Sequence, residues 1–147
     1  MSLLPRKGLL AIAAVVDVAL NARDRPVSAK ALAARHGLPP RHLEPVLQAL
    51  VHDGILRGVR GPHGGYALAR ERGRIGIDEI VRAAATVRDR DEGAAPSPLI
   101  TEIVSPAVAE AERAFSGALS RINVDDLARR VEAADRRKGP AEIDFTI

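Results

Sequence analysis

Ile55-Leu56-Arg57-Gly58-Val59-Arg60-Gly61-Pro62-His63-Gly64-Gly65-Tyr66-Ala67-Leu68-Ala69-Arg70 is the stretch on which the reading of this chain turns. Residues 55–60 and 66–70 are short extended candidates, and the Gly-Pro-His-Gly-Gly run between them is one no helix would tolerate. The pattern predicts a β-hairpin. Upstream, Ser28 stands where an N-cap belongs before Ala29-Lys30-Ala31-Leu32-Ala33-Ala34-Arg35, and Gly37 supplies the stop. Pro39-Pro40 cannot sit in a helix interior but suits the entry of a new helix, with Leu43, Val46, Leu47, Leu50 and Val51 as its inward stripe and Gly54 as its end. A short helix, a turn and a longer helix make a helix-turn-helix, and a hairpin directly behind one is a wing. The outer face of the second helix shows Arg41, His42, Glu44, Gln48 and His52.

Outward from this centre the chain returns to helix on both sides. Lys7 to Asn21 carries Leu9, Ile12, Ala13, Val16 and Leu20 at helical spacing, and Val15, Val18 and Ala19 widen that face until only Asp17 is polar. Such a helix needs cover nearly all round, from the basic domain and from a partner chain. Ile77, Ile80, Val81 and Ala84 set a helix over 77–87, and the polar segment Arg88 to Pro98 is expected to be a mobile loop. Ser97-Pro98 and Ser105-Pro106 each look like a cap plus a first helical residue, predicting a short helix over 98–104 and a longer one over 106–122. Ile100, Val104, Ala107, Ala111, Phe115, Ala118 and Ile122 form a narrow alanine-rich seam on them, of the kind that lets two helices approach closely. Asn123 caps a last helix with Leu127, Val131 and Ala134 as its stripe, and the tail beyond Lys138 is expected to be loose. The fold class is therefore mainly α with a small β-hairpin: a winged helix-turn-helix domain over 1–87, a loop over 88–97, dimerisation helices over 98–137 and a tail over 138–147.

Composition narrows the function. The 147 residues suit one domain with an appended arm; 46% are apolar and only 2% aromatic, so an aromatic-lined catalytic pocket is not expected. Zero cysteines excludes disulfides, thiolate-held zinc, cysteine nucleophiles and cysteine-ligated iron-sulfur clusters. No Ser/His/Asp set, phosphate loop or supported carboxylate pair is found, so no enzyme, and no cofactor or metal, is expected. Leu9 to Leu20 is interrupted by Asp17 and falls short of the ~20 apolar residues of a membrane span. With no targeting segment evident, a soluble cytoplasmic protein with no membrane partner is expected.

Charge is polarised along the chain. Residues 1–70 carry ten lysines and arginines against four acids, whereas 71–147 carry twelve against fifteen. A basic half beside a mildly acidic one is the footprint of a chain that meets phosphate with one half. Arg57, Arg60 and Arg70 flank the glycine-rich turn, whose bare backbone and charge suit phosphate and a minor groove, and Arg60 is the residue favoured to enter it. Arg41 matches guanine and Gln48 adenine, while Glu44 reads as a cytosine N4 acceptor, a counter-ion for Arg60 or a surface acid. His36, His42, His52 and His63 lack metal-ligand spacing and read as phosphate contacts or solvent-exposed groups. Arg88-Asp89-Arg90-Asp91-Glu92 reads as self-paired and solvated.

At Lys7-Gly8, Pro26-Val27-Ser28, Leu43-Glu44, Val59 to Leu68 and Ile122 to Leu127, the chain resembles the Rrf-two family of bacterial winged helix-turn-helix regulators, near-continuously from Lys7 to Val87. The resemblance implies a homodimer paired through its long helix, with recognition helices in adjacent major grooves and wings in minor grooves of a pseudo-palindromic operator. It places Glu44 on the recognition-helix acid that tunes site choice, Arg60 on the wing arginine, and Gly64, Gly65 and Tyr66 on the wing tip and return strand. Three departures stand out. Many members hold a cluster with three cysteines where this chain has Arg88 to Ile103 and none, so it resembles a cysteine-free member, with Leu99 to Val104 as extra packing. Pro45 directly follows Glu44, which predicts a recognition helix that starts later or bends. Leu9-Leu10 replaces an aromatic near the start of the first helix.

The expectation is a DNA-binding repressor of transcription acting as a homodimer on double-stranded DNA, with Lys7, Ser28, Arg41, His42, Glu44, Gln48, Arg57, Arg60, His63, Gly64 and Gly65 as its contacts. Two alternatives stand beside it: a winged-helix module that docks a partner protein, and a regulator with a small-molecule effector in an apolar pocket between the first helix, the Ile77 helix and the dimer helix.

Overall fold

The helix-turn-helix forms where the caps place it. α1 (Arg6–Asn21) precedes α2 (Ala29–Arg35), whose first turn is closed by Ser28 Oγ accepting from the Ala31 amide at 3.0 Å. Gly37, at φ 63°, reverses the chain in a left-handed conformation that suits glycine and lets α3 (Pro40–His52) begin. The structure is a computed structural model that describes residues 3–88 and 97–138. Most of the loop expected at 88–97, and all but Lys138 of the tail expected at 138–147, lie outside those residues; Lys138 itself belongs to the last helix.

α3 begins at Pro40 and runs through Pro45 to His52, so the later start expected from Pro45 is not what forms. Pro45 lies on the exposed outer face, where the Arg41 carbonyl that lacks its amide partner can turn to water. Leu43, Val46, Leu47 and Leu50 are buried, each large side chain contributing about 1.5–3 kcal/mol. Val51, expected to face inward, is 37% exposed; one residue past Leu50 it is turned about 100° off the stripe.

The predicted hairpin forms as β1 (Leu56–Val59) against antiparallel β2 (Gly65–Leu68), with Leu56 opposite Leu68 and Val59 opposite Gly65. Tyr66 and Val27 exchange backbone hydrogen bonds of 2.8 and 2.9 Å, which fastens the return strand to the entrance of α2. A Cβ on Gly65 would overlap the Val27 carbonyl oxygen, so this approach admits only glycine. The wing and the helix-turn-helix are thereby joined through their backbones.

After a 3-10 turn at Arg72–Arg74, α4 (Ile77–Ala85) packs along α1. A continuous helical arm follows, opening with π-type winding over Leu99–Val104 and passing directly into α5 (Ser105–Ser120). This corrects the expected break: Ser105 is itself helical and caps nothing. Pro106 cannot donate to the Glu102 carbonyl and crowds it, and widening the preceding turn relieves the clash without ending the helix. α6 (Val124–Lys138) opens with a reciprocal cap, the Asp126 amide donating to Asn123 Oδ1 at 2.9 Å and the Asn123 amide to Asp126 Oδ2 at 3.0 Å. It folds back onto α1, and Val124 and Ala128 are fully buried there.

Asp17 is the one buried charged residue among those described, at 5% exposure. Asn21 Nδ2 donates to its Oδ1 at 3.1 Å, His36 Nε2 lies 3.1 Å from its Oδ2, and Arg35 completes the cage. Burial raises this carboxyl above its ordinary value, opposed by Arg35, Asn21 and His36. His36 is thus a structural partner of Asp17, half-buried where the end of α2 meets α1, and not the phosphate contact or free surface histidine expected from its spacing.

Candidate nucleic-acid interface

α3 is held by four buried side chains on one face and so presents the opposite face at a set angle. Arg41, His42, Glu44 and Gln48 are all exposed on it. Arg57 leaves β1 into solvent, and Arg60 and His63 are exposed in the wing loop, where the Gly64 amide donates to the Gly61 carbonyl at 2.9 Å. Gly64 and Gly65 are half-buried, packed against the backbone of Val59 and Val27 respectively, so their task is to shape the loop.

Ser28 and Ala29, at the start of α2, adjoin the wing: Ser28 lines a cleft with His63 and Gly64, and Ala29 lines one with Arg60 and Gly65. The wing root and the start of α2 therefore lie side by side. Lys7 is half-buried, lines a cleft with Arg41 and His42, and donates from Nζ to the Val87 carbonyl at 2.6 Å. No ion pair among the described residues joins Glu44 to Arg60, so the counter-ion reading of Glu44 finds no contact here.

Six arginines are ion-paired among the described residues. Arg35, Arg70, Arg72, Arg82 and Arg129 each meet a carboxylate within 3.1 Å, and Arg74 meets Glu71 at 3.7 Å. Arg41, Arg57 and Arg60 meet none among the described residues. Arg70, expected to flank the wing as a free charge, is drawn inward instead, donating to the carbonyls of Gly54 and Arg74 at 3.2 Å and to Glu79 at 3.1 Å. Glu79 also accepts from the Gly76 amide at 2.9 Å, and these bonds hold its carboxyl below the ordinary value.

The arm presents a second surface. Of the expected seam, Ile100, Val104, Ala107, Ala111 and Ala118 are exposed, while Phe115 and Ile122 are half-buried within the chain. Leu99 at 64% and Ile103 at 61% exposure, expected as extra packing, are not packed within the single chain, and Val108 at 43%, which was not singled out, belongs to the same arm. Their signal is present in the sequence as Leu99/Ile103 and Ile100/Val104/Val108, pairs at i, i+4.

Comparison with known proteins agrees with this anatomy. The sequence profile of the Rrf2 family, "Iron-dependent Transcriptional regulator", matches residues 4–130. The chain is 39% identical over 80 residues to the HTH-type transcriptional regulator IscR of Xenorhabdus nematophila and 38% to that of Cronobacter sakazakii. Each alignment spans 54% of this chain and 49% of the relative, about half the length of the curated relatives. Among solved structures, T. potens IscR superposes with a TM-score of 0.66 at 24% identity, covering 96% of this chain and 91% of that one. CymR (YrzC), the global cysteine regulator of B. subtilis, superposes with a TM-score of 0.65 at 22% identity, covering 88% and 98%. At such identities the likeness speaks to the fold, which is the winged helix.

The word iron in the family's description can be tested against the donors. The chain contains no cysteine, and no grouping of three His, Cys, Asp or Glu among the described residues suits a metal ion. The residues present do not fit a thiolate-held cluster.

Proposed function

Since this chain belongs to the Rrf2 family, we propose that it is a sequence-specific DNA-binding transcription regulator, a repressor, that acts as a homodimer on a pseudo-palindromic operator without an iron-sulfur cluster. The observation that carries this reading is the gathering on one scaffold of Arg41, Arg57 and Arg60, all exposed and none meeting a carboxylate among the described residues, while Arg70, which flanks the same hairpin, is paired with Glu79. Exposed cations held on a stiff scaffold gain most from a polyanion, because each phosphate they meet releases condensed counter-ions. Arg41 and Gln48 reach base edges from α3, Glu44 accepts from cytosine N4, and Arg60 enters the minor groove. Ser28, His42, Arg57 and His63 meet phosphate or sugar, Gly64 and Gly65 shape the wing tip, and Lys7 adds charge from α1.

The exposed apolar arm supports the dimer, since Leu99, Ile100, Ile103, Val104 and Val108 form a face that a second copy would cover. Among the described residues no helix is long and apolar enough to cross a membrane, which accords with a cytoplasmic site of action. The test is a gel-shift series on DNA from the region adjoining the gene, run from low to high salt. Retention that is selective and falls steeply with salt supports the reading; no retention at low salt overturns it.

A further inference from the structure

The start of α1, the start of α3 and the end of α4 meet around an open cleft of about 400 Å3. Its floor is apolar, made by Leu10, Leu38, Val46 and Val87, and its rim carries Arg6, Arg41 and Arg88. These guanidiniums come from three separated segments, all three are exposed, and none meets a carboxylate among the described residues. Among the described residues no carboxylate lines the cleft. Lys7 Nζ, bonded to the Val87 carbonyl at 2.6 Å, ties α1 to the end of α4 and so holds the floor together. We propose that this cleft binds an amphipathic organic anion, a carboxylate on an apolar body, and that its occupant competes with DNA for α3.

Like charges gathered over apolar surface repel one another and focus a positive potential, which the positive end of α3 reinforces. An anion relieves that repulsion. The floor decides which anion: a DNA phosphate arrives on a hydrated sugar edge and gains nothing from Leu10 and Leu38, whereas an apolar body buries against them. The volume falls within the range of small-molecule sites. Arg41 and His42 belong both to this cleft and to the proposed DNA face, so ligand and DNA draw on the same side chains and each weakens the other's binding. This competition rests on the DNA-binding reading; the binding of the anion does not.

The experiment uses the full chain in two arms. Calorimetric titration with acetate, butanoate, hexanoate, octanoate and inorganic phosphate is expected to show affinity rising with length, at most about fourfold per added methylene, the equivalent of ~0.8 kcal/mol. Phosphate is expected to bind more weakly than hexanoate. The double variant Arg6→Gln/Arg88→Gln, on residues outside the proposed DNA contacts and exposed, is expected to keep its thermal midpoint and lose octanoate affinity at least tenfold. Octanoate is then expected to raise the apparent Kd for labelled DNA with the parent chain and not with the variant. Affinity independent of chain length, or phosphate binding as tightly as octanoate, would mean a plain phosphate-binding surface and overturn the site. Undiminished octanoate binding by the folded variant would do the same. Octanoate binding that leaves DNA affinity unchanged would overturn the competition, and a chain that binds octanoate but no DNA would overturn the DNA reading alone.

Discussion

Arg35 Nη1 at the end of α2 lies 2.5 Å from Asp17 Oδ1 in the middle of α1, and only 3% of the Asp17 side chain is exposed. Arg35 is therefore the counter-charge that makes a buried carboxylate tolerable and that joins the helix-turn-helix to the core. Arg35→Ala is expected to lower stability by about 1–3 kcal/mol, because the carboxylate stays buried when its partner leaves. Urea unfolding of the variant measures this, and an unchanged midpoint would remove Arg35 from the account.

Asp17 and Glu79 pull the pH profile in opposite directions. The Asp17 carboxyl is raised by burial, so its contribution to stability is present below the ordinary value of 3.8 and is lost as pH rises through its folded value. Glu79 is lowered, chiefly by the Gly76 amide and then by Arg70, so its contribution is present above 4.5 and is lost as pH falls through its folded value. The deficit of Glu79→Gln relative to the parent is thus expected to shrink on acidification. That of Asp17→Asn is expected to grow. Unfolding midpoints for the three chains across the acid range separate these slopes.

Gly65→Ala is expected to destabilise the wing by about 1–3 kcal/mol, since the added carbon overlaps the Val27 carbonyl and must part β2 from the entrance of α2. Faster amide exchange at Val27 and Tyr66, whose amides donate across this junction, would register the parting. Exchange rates like those of the parent would show that the junction yields without cost.

For Arg60→Ala the expected loss is about 1–3 kcal/mol of selective DNA affinity, with a smaller loss toward unrelated DNA. Fluorescence anisotropy at several salt concentrations reads both, together with a salt slope lower by about one. Equal affinities for variant and parent would take the wing out of the interface.

Ile103→Glu places a charge on a residue that is 61% exposed in the single chain, so the fold is expected to survive while self-association is lost. Light scattering should then report a dimer for the parent and a monomer for the variant. A monomeric parent at micromolar concentration would refute the dimer.

Much of this anatomy was legible residue by residue. Ser28, Gly37, Pro40, Gly54 and Asn123 act on their own neighbours within a turn or two, so the helix ends and the hairpin follow from local chemistry that needs no tertiary partner. The inward stripe of α3 was legible for the same reason, and the outward placing of Arg41 and Gln48 follows as its complement.

Partnership was not legible, because it is a property of distance in space and the chain order holds no record of it. Asp17 and His36 stand 19 residues apart and Lys7 and Val87 stand 80 apart, yet each pair is in hydrogen-bond contact. Only folding could decide that Arg70 turns inward to Glu79 while Arg60 stays in solvent, since both are arginines flanking the same hairpin. The same holds for Pro106: its ring dictates that the Glu102 carbonyl lose an amide, but whether a helix breaks or widens there depends on the continuity of the arm on both sides.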